Sequence, residues 1–181
     1  RYMTITGFAQ GGTYTVKLNL NGRDGMISAK PEEIRDSVDA ILKNIDMALS
    51  GYNRKSLLTR FNEGEAIVPD SLFLDIYDHA YGIYEETSGI VDVASAPLFD
   101  LWGFGFTSDS LPSSDEIERV RSASGMGRLK RDIRSAVRDD GTLQASELLK
   151  DSDGVLPKLN YNAIAQGYSC DVVARYLYSI G

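Results

Sequence analysis

Between Thr13 and Leu20 apolar and polar residues alternate, with Tyr14, Val16, Leu18 and Leu20 on one face. A period of two predicts a half-buried strand. Asn21-Gly22 follows as a turn signal, open to closing a hairpin. From Pro31 the period lengthens. Ile34, Val38, Ile41, Leu42, Ile45 and Leu49 recur at helical spacing, with proline at the start and Gly51 just past the end. YNRKSLLTRFNEGE, residues 52–65, reads as a polar loop. A second helix is expected from Pro69 or Asp70 to about Thr87, capped by Gly89, with Leu72, Phe73, Ile76, Ala80, Ile83 and Tyr84 on its buried side. GIVDVAS, residues 89–95, alternates again and predicts a strand. Ser113 followed by Glu116 is a capping-box signature for a short helix carrying Ile117 and Val120. DIRSAVRDDGTLQ predicts a hairpin turning at Asp140-Gly141. A last helix begins near Asn162 or Ala163, lined by Ile164, Ala165, Tyr168, Val172, Tyr176 and Leu177. This mixed order, without repeats or low-complexity linkers, is that of an α+β fold. The sequence stops at YSIG straight after a helix, so a closing strand is expected beyond it. It opens on Arg1 rather than Met, so the natural N-terminus is expected upstream.

Composition narrows the function classes. The 181 residues are about one domain's worth of chain. The net charge of −7 argues against general nucleic-acid binding, which needs a basic footprint. The one basic cluster, Arg128, Lys130, Arg131, Arg134 and Arg138, is interrupted by acids and reads as a solvated face. No apolar run is long enough for a membrane-spanning helix. The single cysteine, Cys170, excludes an internal disulfide framework and is expected to be a small buried core residue. His79, mid-helix beside Asp78, is expected to be exposed rather than catalytic.

Four features carry candidate chemistry. FAQGGTYTV sets two glycines before a strand, which serves either close approach of a ligand or a tight entry to the strand. Tyr52 sits in a loop with Asn53, Arg54 and Ser56, where a phenol ring is a platform for a flat ligand. Asp92, on a predicted strand, must be paired, hydrogen-bonded or placed at a ligand. LNYNAIAQGYSCD runs into a helix start kept small by Ala163, Ala165 and Gly167, which suits either an anion or close packing on a sheet. Residues alone point to a ligand-binding α+β domain with a glycine- and aromatic-rich cleft.

Four segments, in order and spread over nearly the whole chain, resemble the ApbE family of FAD:protein FMN transferases. FAQGGTY resembles the family's M-G-T-x-Y, and LSGYNRKSLLTRFN its M-S-x-Y-x-x-x-S-x-x-S-R-F-N. TSGIVDVASAPLFDLWGFG resembles T-x-G-A-F-D-x-T-x-x-P-L-x-x-L-W-G-F-G, and LNYNAIAQGYSCD resembles L-D-L-x-A-I-A-K-G-Y-x-x-D. The resemblance implies an ApbE-like (T-fold-like) sheet packed with helices, incomplete at the C-terminus. Residues 1–181 then form the N-terminal part of a single flavin transferase domain. It also implies that FAD is the substrate and that Mg²⁺ is required. Gln10 falls on a flavin-contacting methionine and Tyr52 on a flavin-contacting tyrosine. Ile90, Val91 and Asp92 fall on a contact segment, Asn160 on an FAD-binding aspartate and Gln166 on an FAD-contacting lysine position. Ala163 falls on a position with an oxygen that ligates Mg²⁺. The W-G-F-G block is expected in the wall of the nucleotide cleft. Gln10, Gly12, Asn160 and Gln166 depart from the family's usual residues. The family's aspartate-rich metal motif lies in a second half absent from this sequence, so these residues are not expected to complete a metal site alone.

The implied chemistry is attack by a threonine hydroxyl of an acceptor protein on the FMN-side phosphorus of FAD, with AMP leaving. FAD pyrophosphatase activity and flavin binding without turnover are the alternatives. Acceptor subunits of Nqr and Rnf type are the implied partners. The implied place is periplasmic or extracytoplasmic, held to the inner membrane by an N-terminal lipid anchor.

Overall fold

The computed structural model describes residues 1–22, 27–103, 111–151 and 155–181. Strands β1 (Tyr2–Ala9) and β2 (Gly12–Asn19) form an antiparallel hairpin in which Ile5 faces Val16. Its tip is the two-residue turn Gln10-Gly11, with φ of 52° and 77°. Two positive φ values mark the primed turns whose twist matches paired strands. The hairpin therefore closes before the strand read from the sequence, not at Asn21-Gly22. Tyr2–Ala9 has weaker alternation, with threonine and glycine among its residues, and sequence reading passed over it. Gly7 is required for another reason: a Cβ there would stand 2.5 Å from the Tyr14 ring.

Helix α1 (Pro31–Leu49) buries Ile34, Val38, Ile45 and Leu49 as its spacing predicts, and Ala48 besides, while Ile41 and Leu42 are only partly covered. Its first half packs Ile34 and Val38 with Ile5 of the hairpin and Val173 of the last helix, making a small second core. Its second half joins the main core. The segment expected as loop contains helix α2 (Leu57–Asn62), where Ser56 caps the N-terminus and Leu58 and Phe61 turn inward. Helix α3 (Ser71–Glu86) is capped by Asp70 and buries Phe73, Ile76, Tyr77, Ala80 and Tyr81. Leu72, Ile83 and Tyr84 are only partly covered. Gly89 N–H closes the helix end on Tyr84 O at 2.8 Å.

GIVDVAS is not a strand. Asp92 caps a 3₁₀ turn (Val93–Ser95) that runs into helix α4 (Ala96–Leu101). Helix α5 (Ser114–Ser122) has the expected Ser113–Glu116 capping box. Residues 126–149 then cross the main core as three 3₁₀ turns, inserting Met126, Leu129, Ile133, Leu143 and Leu148. The turn at Asp140-Gly141 exists, with Arg138 N–H bonded to Thr142 O at 2.8 Å. Its flanks are a 3₁₀ turn and a single bridge from Ile67 to Leu143, not two strands. Helix α6 (Ala165–Ser179) starts two or three residues later than predicted and buries Tyr168, Ser169 and Val173. These take the inward positions, so Cys170 is turned out and exposed, contrary to expectation.

The α+β class holds, with β1 and β2 the only sheet among the described residues. The basic cluster is a solvated face: Arg131 pairs with Glu85, Arg134 with Asp78 and Arg138 with Glu147. His79 is half exposed on α3. Among the described residues no helix is long and apolar enough to cross a membrane.

Candidate functional site

The loop between α1 and α2 is held by hydroxyl groups. Ser56 is fully buried. Its Oγ donates to Ser50 O at 2.6 Å and accepts from Thr59 N–H at 3.0 Å. Ser50 Oγ in turn accepts from the N–H groups of Tyr52 and Asn53. Asn53 Nδ2 donates to Asp46 of α1 at 2.9 Å. The serine, asparagine and threonine spacing of this segment is thus a scaffold for one residue. Tyr52, 70% exposed, projects from it and receives a hydrogen bond from Asn162 Nδ2 at 3.2 Å.

Asn62, at the end of α2, joins this loop to a distant segment. Its amide donates to Leu159 O and accepts from Leu159 N–H, both at 2.9 Å. One side chain thereby copies a strand pairing. The next residue, Asn160, donates its N–H to Val93 O at 2.8 Å, tying in the third segment. From Leu159 to Asn162 the chain alternates: Leu159 and Tyr161 are buried, while Asn160 and Asn162 turn outward. Burial raises the Tyr161 phenol well above its ordinary pKa, so it stays neutral and is neither base nor nucleophile.

These ties leave two adjoining clefts. The larger, about 870 Å³, is lined by Tyr52, Asn62, Ile90, Val91, Asp92, Phe99, Asp100, Lys158, Asn160 and Ala163, among others. The smaller, about 250 Å³, lies between Gln10 at the hairpin tip, the C-terminal end of α1 and the start of α6 at Ala165 and Gln166. Gly51, Tyr52 and Asn162 line both. All eight residues singled out in the sequence fall here: Gln10 and Gln166 in the smaller cleft, Ile90, Val91, Asp92, Asn160 and Ala163 in the larger, and Tyr52 between them. Trp102 and Gly103 follow α4, and the rest of the W-G-F-G block lies outside the described residues.

The side chains are not equally available to a ligand. Asp92 Oδ1 accepts from Ala94 N–H at 2.8 Å and both its oxygens accept from Met126 N–H at 3.1 Å. Of the three readings open for Asp92, hydrogen bonding is the one observed. Its carboxylate thereby ties the 3₁₀ turn at Val93–Ser95 to the start of the next one at Met126. Gln10 donates to Ser169 Oγ of α6. Asn160 Oδ1 accepts from Asn162 N–H at 2.9 Å, shaping the turn before α6. Helix α6 has no side-chain cap. The Ala165 N–H bonds to Tyr161 O at 2.8 Å, so the N–H groups placed to suit an anion are those of Gln166 and Gly167.

Sequence reading missed Asn62 and Lys158. Asn62 ends the R-F-N of a quoted motif, yet its job depends on a partner 97 residues away. Lys158 stands outside every quoted motif.

The fit of Mg²⁺ is poor in these residues alone. The ion wants near-octahedral oxygen ligands with carboxylates among them. Among the described residues no three His, Cys, Asp or Glu side chains come together as a metal site. Ala163 has only its backbone carbonyl to give.

The ApbE family pattern matches residues 11–181. The chain belongs to the ApbE family. It is 29% identical over 184 residues to an FAD:protein FMN transferase of Vibrio cholerae, covering 98% of this chain and 49% of that one. It is 26% identical over 185 residues to an FAD:protein FMN transferase of Haemophilus influenzae, again covering 98% and 49%. The crystal structure of Pseudomonas stutzeri flavinyl transferase ApbE, in its apo form, superposes with a TM-score of 0.77 at 26% identity, covering 100% of this chain and 54% of that one. The chain thus spans about half the length of the curated relatives it matches.

Proposed function

We propose that this chain is the FAD-binding part of an FAD:protein FMN transferase. The observation that carries the reading is convergence. The four family segments begin near residues 8, 49, 87 and 159. Gln10, Tyr52, the 90–92 segment and the 160–166 segment nevertheless line two clefts that share Tyr52. A dinucleotide needs two compartments with a joint between them. The larger cleft falls within the size range of small-molecule sites.

In this reading Tyr52 offers its ring face to the isoalloxazine, with its hydroxyl steadied by Asn162. The amides of Gln10, Asn160 and Gln166 give polar contacts without charge. The uncapped start of α6 receives a phosphate oxygen. The reaction is a phosphoryl transfer. The acceptor's threonine oxygen bonds to the FMN-side phosphorus, the bond from that phosphorus to the bridging oxygen breaks so that AMP leaves with it, and the hydroxyl proton passes to solvent. Holding the dinucleotide so that the threonine approaches in line is what these residues contribute. Mg²⁺ dependence belongs to the same reading, with the Ala163 carbonyl as one oxygen and carboxylates from outside the described residues. So do acceptor subunits of Nqr or Rnf type and an extracytoplasmic, lipid-anchored location.

The test is incubation with FAD and Mg²⁺, with and without a threonine-containing acceptor. Flavin covalently on the acceptor, read by mass, supports the transferase. AMP without labelled acceptor replaces it with a pyrophosphatase. Bound FAD with neither product fits an FAD-binding part short of metal-ligating carboxylates, or a flavin-holding domain without turnover, and failure to bind FAD overturns the reading.

A further inference from the structure

The charge around the clefts raises a problem for the proposed ligand. The smaller cleft is lined by Asp46, and the larger by Glu63, Asp92 and Asp100. Among the described residues lining either cleft, Lys158 alone carries positive charge. A pyrophosphate entering this lining meets repulsion from these carboxylates, and Lys158 is the one side chain that opposes it with a positive charge.

Lys158 is also mounted for the task. The residue after it, Leu159, is clamped in both directions by Asn62, and Asn160 is tied to Val93. The backbone at its base is therefore fixed. Its side chain is 48% exposed, and its Nζ lies 3.4 Å from Oδ2 of Asp100, which lines the same cleft. An exposed ion pair at that distance holds weakly and exchanges readily for a better anion. A phosphate oxygen is such an anion, because it brings more negative charge into a less hydrated place.

We infer that Lys158 is the residue that recognises the pyrophosphate, resting on Asp100 when the cleft is empty and turning to the phosphate oxygens when it is filled. The inference rests on the flavin reading of the clefts, and makes Lys158 a binding and positioning residue.

The experiment titrates FAD, riboflavin and inorganic pyrophosphate into the full chain, into Lys158→Gln and into Lys158→Arg. Lys158→Gln is expected to weaken FAD about tenfold. Riboflavin, which has no phosphate, should bind both forms alike. Lys158→Arg should restore most of the loss, and raising the salt should shrink the difference. Equal FAD affinity in the unmodified chain and Lys158→Gln overturns the inference while leaving the flavin site standing. So does an equal loss for FAD and riboflavin, which marks a structural role. If no flavin binds but pyrophosphate binds in a Lys158-dependent way, the phosphate contact stands and the flavin reading falls. If nothing binds the unmodified chain, both fall.

Discussion

Ser56, Asn62 and Tyr161 show how single side chains set the site. Ser56 caps α2 and holds the Tyr52 loop with one hydroxyl. Ser56→Ala loses a cap and a buried donor, and should cost about 2 kcal/mol in a denaturant titration. An unchanged midpoint would mean that Thr59, which also reaches Ser50 O, carries the loop alone. Asn62→Asp keeps the acceptor for Leu159 N–H but sets a carboxylate against Leu159 O. It should destabilise the protein by about 2 kcal/mol, while Asn62→Gln, too long for the clamp, does similar harm. Tyr161 works the other way. Its hydroxyl is buried without a hydrogen-bond partner among the described residues. Tyr161→Phe removes that burden and should raise stability by about 1 kcal/mol. A loss on that substitution would reveal a partner for the hydroxyl. The role of Asn62 is not readable from sequence, because its partner Leu159 lies 97 residues away, whereas Ser56 works locally through Ser50 O and Thr59 N–H.

At the scale of elements, α1, α3 and α5 were legible because each carries its own periodicity and a start signal, and α6 was legible by its periodicity, its uncapped start falling later than predicted. Strand β1 and helix α2 were not. β1 declares itself only through its pairing with β2, and α2 is one and a half turns whose inward pair, Leu58 and Phe61, is too brief to give a period. GIVDVAS misled because alternation over seven residues also fits a capped 3₁₀ turn entering a helix. The hairpin gives a sharp test. In Gly7→Ala the new methyl group meets the Tyr14 ring, whose hydroxyl donates to Asp39 of α1. Displacing it should cost about 2 kcal/mol and weaken the seam between hairpin and helix. Helix α5 gives a pH test. The Ser113 backbone N–H and then its hydroxyl hold the Glu116 carboxyl below its ordinary pKa. A depressed carboxyl stabilises the fold above its unfolded pKa, and that contribution is lost as pH falls through the folded value. Amide protection factors at the start of α5, which divide out the intrinsic slowing of exchange in acid, should therefore fall once the pH is below the ordinary glutamate range. Glu116→Ala, which has no acceptor for Ser113 N–H, should show the lowered protection already at neutral pH.

For the whole molecule, sequence gave the address of the site but not its construction. The eight residues picked out along the chain do line the clefts, yet what brings them together is Asn62 on Leu159, Asn160 on Val93 and Asn162 on Tyr52. The most direct test is an amide-resolved NMR titration of the 181-residue chain with FAD. One ligand across both clefts should move Gly11, Tyr52, Val91, Asn160 and Gln166 together, with a single dissociation constant. Shifts confined to one cleft, or different constants for the two, would contradict a single dinucleotide site.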